Sequence, residues 1–321
     1  QFDCAAHGLL GLLRCWQQEL PGYFVKHVDF ERVDGGVAPD VVAETLEATR
    51  EPAVCYRGGA RHVERLGRLE ITEREPRGDA RPGPGGLLVI SGGLGGVGFE
   101  VASWALRDEK ACVLVLGRDP LDAGASPEKR ERLRSLERRP GTVLYRAVDL
   151  ACPTDTLGAV RDAVETAGLP LDGVVPLAGH YGETTIAEMT PANLEEALSG
   201  KVYGAVNLAR ALQDLGGRWF LGFSSVSSRR GGAGLGAYAA ANSLLEGVCA
   251  RLDQCEGIDA HCYSWTSWKG IGMSAGADHS DMLSRKGYQT ISPEAGMASM
   301  DALLQRNLKP VSYTHLRAHE T

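Results

Sequence analysis

Four side chains in the second half of the chain could together run a proton transfer: Ser225, Tyr238, Asn242 and Lys201. Ser225 lies in the run Phe223-Ser224-Ser225-Val226 that ends a strand, and Tyr238 opens Tyr238-Ala-Ala-Ala-Asn242 thirteen residues later, across a glycine-rich loop at 231–236. Asn242 falls one helical turn beyond Tyr238, on the same face. A tyrosine is a poor acid or base at its free pKa of ~10, and a cation that favoured its phenolate by three units would supply ~4 kcal/mol. The position one turn after the tyrosine holds Asn242, not a cation. Lys201, in Leu198-Ser-Gly-Lys201-Val-Tyr, is the available replacement. Ser224 is the alternative hydroxyl if the register shifts by one.

A second constellation is Ser91-Gly92-Gly93-Leu94-Gly95-Gly96-Val97-Gly98. Gly93, Gly95 and Gly98 follow an apolar strand and open a helix, which is the context a dinucleotide-binding G-x-G-x-x-G needs. Such glycines permit a tight turn and close backbone approach, and the helix start offers N–H groups to a pyrophosphate. The bland alternative is a glycine-rich turn with no ligand. At the end of the next strand Arg118 stands where a 2′-phosphate would be met, with Asp119 just after it. A solvent-facing arginine is the competing reading. Asp149, after the third strand, could meet an adenine amino group or cap a helix. Leu94, Ala178 and Gly179 complete the candidate cofactor contacts.

The elements that must carry these residues read as alternating strand and helix from Leu87 onward. Strands fall at 87–90, 111–116, 142–147, 173–177, 218–224 and 260–265. Helices fall at 96–106, 127–138, 155–167, 191–212 (one long or two short) and 238–255. Ser126 is a plausible N-cap before Pro127. This alternation predicts an α/β fold with a mostly parallel, doubly wound, Rossmann-like sheet, whose ligands sit beyond the carboxyl ends of the strands. The first seventy residues read as helix 5–19, strand 24–28, helix 41–48 and strand 53–57, without a glycine fingerprint. That segment, residues 1–75, is expected to be a degenerate Rossmann-like structural subdomain. Residues 76–86 form a Pro/Gly-rich linker and 87–310 the nucleotide-binding unit. Residues 311–321 break the preceding pattern and look like a translated adapter, so they are set apart as a non-native tail. His315 and His319 in that tail have i, i+4 spacing but no third metal ligand nearby. With no methionine at Gln1, the chain reads as a piece of something longer.

Composition narrows the function classes. Glycine accounts for 41 of 321 residues, nearly twice the usual ~7%. With no Gly-X-Y period this excess belongs in turns and close approaches. The formal net charge of −7 argues against a polyanion binder, and no apolar stretch reaches the ~18 residues of a membrane span. The eight cysteines contain no C-x-x-C pair, so reduced thiols in a cytoplasmic protein are expected rather than a metal site or a disulfide framework.

The Lys201, Ser225, Tyr238 and Asn242 set resembles that of the ketoreductase domains of modular polyketide synthases and multifunctional fatty acid synthases. These form a branch of the short-chain dehydrogenase/reductase superfamily in which lysine and asparagine exchange places. The resemblance extends to Gly11-Leu-Leu-Arg-Cys-Trp-Gln-Gln-Glu-Leu-Pro-Gly22, to Trp265–Met273 before a substrate lid, and to Ile291-Ser-Pro-Glu-Ala-Gly296. It implies NADPH-dependent reduction of a β-ketoacyl thioester, carried by the phosphopantetheine of an acyl carrier protein, within a megasynthase. In those roles Tyr238 protonates the alkoxide and Ser225 hydrogen-bonds the same oxygen. Lys201 lowers the pKa of Tyr238, and Asn242 holds the geometry or a proton-relay water. Two markers of product stereochemistry are absent. Ala178-Gly179-His180-Tyr181-Gly182-Glu183 replaces an acidic motif, and Arg230 stands where one class has tryptophan, so the hydroxyl configuration stays open. Thr266 replaces a usual glycine, and His180 is either a substrate contact or a loop histidine. A free-standing NADP-dependent reductase of small carbonyl compounds and a non-catalytic bracing domain are the competing readings.

Overall fold

Apolar residues at every position of a strand require a sheet covered on both faces, and Leu87, Leu88, Val89 and Ile90 are all buried. A computed structural model describes residues 4–31, 36–46, 51–67, 82–83, 85–122, 126–272, 288–309, 311–313 and 315–316. The linker at 76–86 therefore lies outside the described residues except at 82, 83, 85 and 86. Met273, at the end of the segment likened to the pre-lid region, and His319 also lie outside them.

The first segment contains α1 (Cys4–Glu19), β1 (His27–Phe30), α2 (Ala38–Leu46), β2 (Ala53–Arg57) and β3 (Ala60–Val63). β1 and β2 pair in parallel across α2, a single βαβ unit, and β3 adds an antiparallel edge. The strand expected at 24–28 lies three residues later. Its ends are set by register against β2, from His27 opposite Ala53 to Phe30 opposite Tyr56, while Tyr23 and Phe24 remain exposed. β3 was not expected. α1 leaves this unit and packs along α9 (Gly236–Cys255). Gly11 makes the approach possible, because a Cβ there would lie 2.6 Å from the Ala239 carbonyl oxygen.

The second segment runs β4 (Leu87–Ser91), α3 (Gly96–Ala105), β5 (Cys112–Gly117), α4 (Pro127–Glu137), β6 (Thr142–Ala147), α5 (Pro153–Ala167) and β7 (Leu171–Pro176). It continues with α6 (Pro191–Leu198), a π-helical turn (Ser199–Tyr203), α7 (Gly204–Asp214), β8 (Trp219–Ser225), the short α8 (Ser227–Arg230), α9 and β9 (Asp259–Trp265). β10 (Tyr288–Gln289), α10 (Pro293–Leu304), β11 (Val311–Tyr313) and β12 (His315–Leu316) complete it. Seven strands form a parallel sheet in the order β11-β9-β8-β7-β4-β5-β6. Val311–Tyr313, set apart with the tail in the sequence reading, supply its edge strand beside β9.

Alternate side chains of each strand feed two cores. Leu87, Val89, Leu114 and Phe220 pack with α5, α7 and α9 through residues such as Val160, Leu208 and Leu245. Leu88, Ile90, Val113 and Leu221 pack with α3, α4 and α10 through Val101, Leu136 and Leu303. The helical stretch at 191–212 is neither one helix nor two separate ones. The π turn joins α6 to α7 and carries Lys201. Ser126 occupies the N-cap position of α4, but its side chain makes no capping bond. Four cysteines, Cys15, Cys112, Cys249 and Cys262, are buried, and Cys255 is exposed. Among the described residues no helix is long and apolar enough to cross a membrane.

Candidate active site

The turn after β4 is closed by backbone. Gly92 sits at φ +67°, the Gly95 N–H donates to the Gly92 carbonyl at 2.8 Å, and a Cβ on Gly98 would lie 2.2 Å from that same oxygen. Gly95 is the N-cap of α3, and no side chain caps the helix. The helix start therefore faces a cavity with free N–H groups and positive dipole. Ser91 ties this turn to the end of β7, its Oγ accepting from the Leu177 and Ala178 N–H groups at 3.1 and 3.2 Å.

That cavity, about 340 Å³, opens at the carboxyl ends of the central strands. Its walls include Gly95 and Gly98 on one side and Ser225, Tyr238 and Lys201 on the other. Ser225 ends β8, and its hydroxyl accepts from the Ser227 N–H at 3.2 Å. Tyr238 lies in the first turn of α9, and the ring of Tyr181 meets it edge-on at 5.2 Å. Burial pushes the Tyr238 phenol above its ordinary pKa, and hydrogen bonds with Ser225 and Asn242 offset part of that rise. Asn242 is fully buried behind the tyrosine and donates from Nδ2 to the Tyr238 carbonyl at 2.8 Å.

Lys201 reaches the cavity from the π turn, a local widening that often marks functional sites. Its Nζ donates to the Phe223 carbonyl at 3.0 Å, and burial lowers its pKa to about 8. The Tyr238 phenol is raised, because burial outweighs the hydrogen bonds that favour phenolate.

Behind Ser225 lies a ladder of charges that sequence reasoning missed. Glu246 of α9 accepts at Oε1 from Ser224 and Ser264, each at 2.7 Å. Ser228 Oγ stands 2.5 Å from the same oxygen and 2.7 Å from the Ser225 carbonyl. Glu246 Oε2 lies 3.0 Å from Arg229, and Arg229 and Arg14 both pair with Glu64 of the first segment. Burial works against charge on Arg229, but Glu246 and Glu64 outweigh it and hold its pKa above the usual value. The Arg14 guanidinium also donates to the Ser228 carbonyl at 2.6 Å. The only sequence signal was one acid inside the otherwise apolar Ser243-Leu-Leu-Glu246-Gly-Val.

The remaining candidates are dispersed. Gly93 packs against Val115, and Leu94 is buried, with its carbonyl accepting from Arg132 at 2.8 Å. Arg118 is exposed at the end of β5, while Asp119 beside it pairs with Lys129 at 2.8 Å. Asp149 accepts from the Ala151 N–H at 3.0 Å, as a local capping residue does. Ala178 and Gly179 stand after β7, where a Cβ on Gly92 would meet the Ala178 nitrogen at 2.9 Å. His180 is exposed, 3.5 Å from Glu196. Thr266 is buried and donates to the Gln289 carbonyl of β10 at 3.1 Å.

A doubly wound sheet with a glycine turn facing a Ser/Tyr/Lys set defines a Rossmann-type oxidoreductase of the short-chain dehydrogenase/reductase kind. Within that class a family model described as KR domain matches residues 86–270, and the chain belongs to this ketoreductase family. It is 31% identical over 98% of its length to a phenolphthiocerol/phthiocerol polyketide synthase of Mycobacterium tuberculosis, covering 16% of that protein. It is 33% identical over 94% of its length to polyketide synthase GfsA of Streptomyces halstedii, covering 4% of it. The chain thus spans only a small part of these curated relatives. Among solved structures, a multidomain adenylation, ketoreductase and pseudo-Asub structure of a keto acid-selecting NRPS module matches with TM-score 0.87. Identity there is 30%, over 98% of this chain and 27% of that one. The ketoreductase from the first module of phoslactomycin biosynthesis in Streptomyces sp. HK803 matches with TM-score 0.83. Identity is 28%, over 98% of this chain and 71% of that one.

Proposed function

We propose that this chain reduces the β-ketone of an acyl thioester, delivered on the phosphopantetheine arm of an acyl carrier protein, with NADPH as reductant. Residues 1–75 serve as the structural subdomain and 87–310 as the catalytic one, within a polyketide- or fatty-acid-forming multienzyme. The observation that carries this reading is the placement of Ser225 and Tyr238 together on the wall of the cavity that the glycine turn opens, where Ser225 favours the Tyr238 phenolate.

The residues present fit the cofactor. Gly95, Gly98 and the start of α3 would hold the pyrophosphate, since a Cβ at Gly98 would fill the turn. Arg118 would meet the 2′-phosphate, which an exposed guanidinium can do and the Lys129-paired Asp119 cannot. NADPH, when bound, supplies hydride to the carbonyl carbon. Tyr238, a neutral phenol at pH 7 as an ordinary tyrosine is, gives its proton to the developing alkoxide. Ser225 donates a hydrogen bond to the same oxygen. Lys201, cationic at pH 7 with its pKa near 8, stabilises the phenolate that proton transfer leaves. Asn242 fixes the first turn of α9 through its bond to the Tyr238 carbonyl, or holds a proton-relay water.

The keto acid-selecting relative supports a second reading, a ketone adjacent to the thioester carbonyl. One assay separates the readings: NADPH oxidation on N-acetylcysteamine thioesters bearing a β-ketone or an α-ketone, with chiral analysis of the product. β-Hydroxy product from the first is the expected result. Turnover of the α-ketone alone supports the second reading. Turnover only of free ketones points to a free-standing reductase, and saturable NADPH binding is required of any of these enzymes but not of a bracing domain.

A further inference from the structure

Two cationic side chains border the cavity, Lys201 and Arg230, and no carboxylate does so among the described residues. Lys201 is buried and bonded to the Phe223 carbonyl. Arg230 is exposed, and among the described residues nothing accepts from its guanidinium.

Its backbone, by contrast, is held from several sides. The Arg230 N–H donates to the Val226 carbonyl at 2.9 Å, and its own carbonyl accepts from Gln18 Nε2 of α1. The next residue, Gly231, turns at φ +69° and donates to the Ser227 carbonyl at 2.8 Å. The preceding residue, Arg229, is locked between Glu64 and Glu246. Two consecutive arginines therefore have divided tasks. Arg229 faces the carboxylates of Glu246 and Glu64, and Arg230 is presented to the cavity from a turn braced by the first segment.

A guanidinium offers paired N–H groups in a fork that matches phosphate or carboxylate oxygens. Holding its backbone in place reduces the ordering cost of using it. We infer that Arg230 anchors an anionic group carried by the substrate, either a phosphate on its thioester arm or a carboxylate on its acyl chain. This rests on the thioester reading above and states which charge class of thioester the site takes.

The test compares wild type, Arg230→Met and Arg230→Lys on three ligands. These are acetoacetyl-pantetheine, acetoacetyl-4′-phosphopantetheine, and a β-ketoacyl pantetheine thioester ending in a carboxylate. Binding is read by calorimetric titration, and KM where turnover occurs. Wild type should prefer one anionic ligand over the neutral one by about fivefold to tenfold, as expected for one charge-assisted contact near the surface. Which anion is preferred identifies the source. Arg230→Met should erase that preference, and Arg230→Lys should keep part of it. No anionic preference in wild type, or a preference retained in Arg230→Met, overturns the inference. So does an equal weakening of NADPH binding, because Arg230 would then serve the cofactor. If acetoacetyl-pantetheine binds but is never reduced, the thioester reading fails separately, while the titrations still decide Arg230.

Discussion

Ser224 donates its hydroxyl to Glu246 Oε1 at 2.7 Å, while the next serine at the end of β8, Ser225, stands on the cavity wall with Tyr238 and favours its phenolate. The strand alternation that sends Ser224 inward toward α9 sends Ser225 to the cavity wall. The consequence is testable by separating the two hydroxyls. Ser225→Ala should lower kcat about 10²-fold or more with little change in NADPH affinity, the effect of removing one donor to a developing oxyanion. Ser224→Ala should retain most activity. Glu246→Gln should instead be a stability variant, costing about 2–3 kcal/mol in urea unfolding, because Arg229 would lose a partner and three hydroxyls an ionised acceptor.

Lys201 carries a charge in a buried place, beside the thiols of Cys249 and Cys262, and burial brings its pKa from the ordinary 10.5 to about 8. The folded state therefore releases this proton earlier than the unfolded state does. Stability contributed by this group is lowest below pH 8 and rises between pH 8 and 10.5, by on the order of 3 kcal/mol. Lys201→Met should unfold at higher urea than wild type at pH 7, and the gap should close toward pH 10.5. Activity should run the other way. If the ammonium supports the phenolate, wild-type kcat falls as pH rises through about 8, well before Tyr238 itself titrates.

Gly98 and Gly158 make a matched pair. A Cβ at Gly98 meets the Gly92 carbonyl oxygen at 2.2 Å, whereas one at Gly158 of α5 meets nothing within 4 Å. Gly98→Ala should open the turn and abolish saturable NADPH binding in a fluorescence titration. Gly158→Ala should raise stability by about 0.5–1 kcal/mol and leave cofactor affinity alone.

Arg118 and Asp119 occupy adjacent positions, but Asp119 is paired with Lys129. Arg118→Ala should weaken NADPH about tenfold and NADH little, as for one lost phosphate contact. Equal loss for both cofactors would place Arg118 elsewhere than at the 2′-phosphate.

The parts of this molecule that could be read in advance are those fixed by short-range pattern. The apolar runs of β4, β5 and β8 and the glycines after β4 announce themselves because burial and turn geometry act on neighbouring residues. Positions set by distant partners do not. β1 starts three residues later than the alternating stretch at 24–28, because β2 sets its register. β3 is four residues without alternation, although Gly58-Gly59, both at positive φ, is a hairpin signal. The π turn that carries Lys201 has no local signature in Ser199–Tyr203. Glu246 looks like any helical acid until Ser224, Ser264 and Arg229 converge on it from three other parts of the chain.

In the proposed reduction Tyr238 is the proton donor, and the cofactor site is independent of it. Tyr238→Phe removes one oxygen from a helix whose fold does not depend on it. NADPH oxidation on a β-ketoacyl thioester, followed beside a fluorescence titration of NADPH, measures both halves at once. The predicted result is turnover lowered at least 10³-fold with cofactor affinity unchanged. Turnover retained in Tyr238→Phe would contradict the assignment.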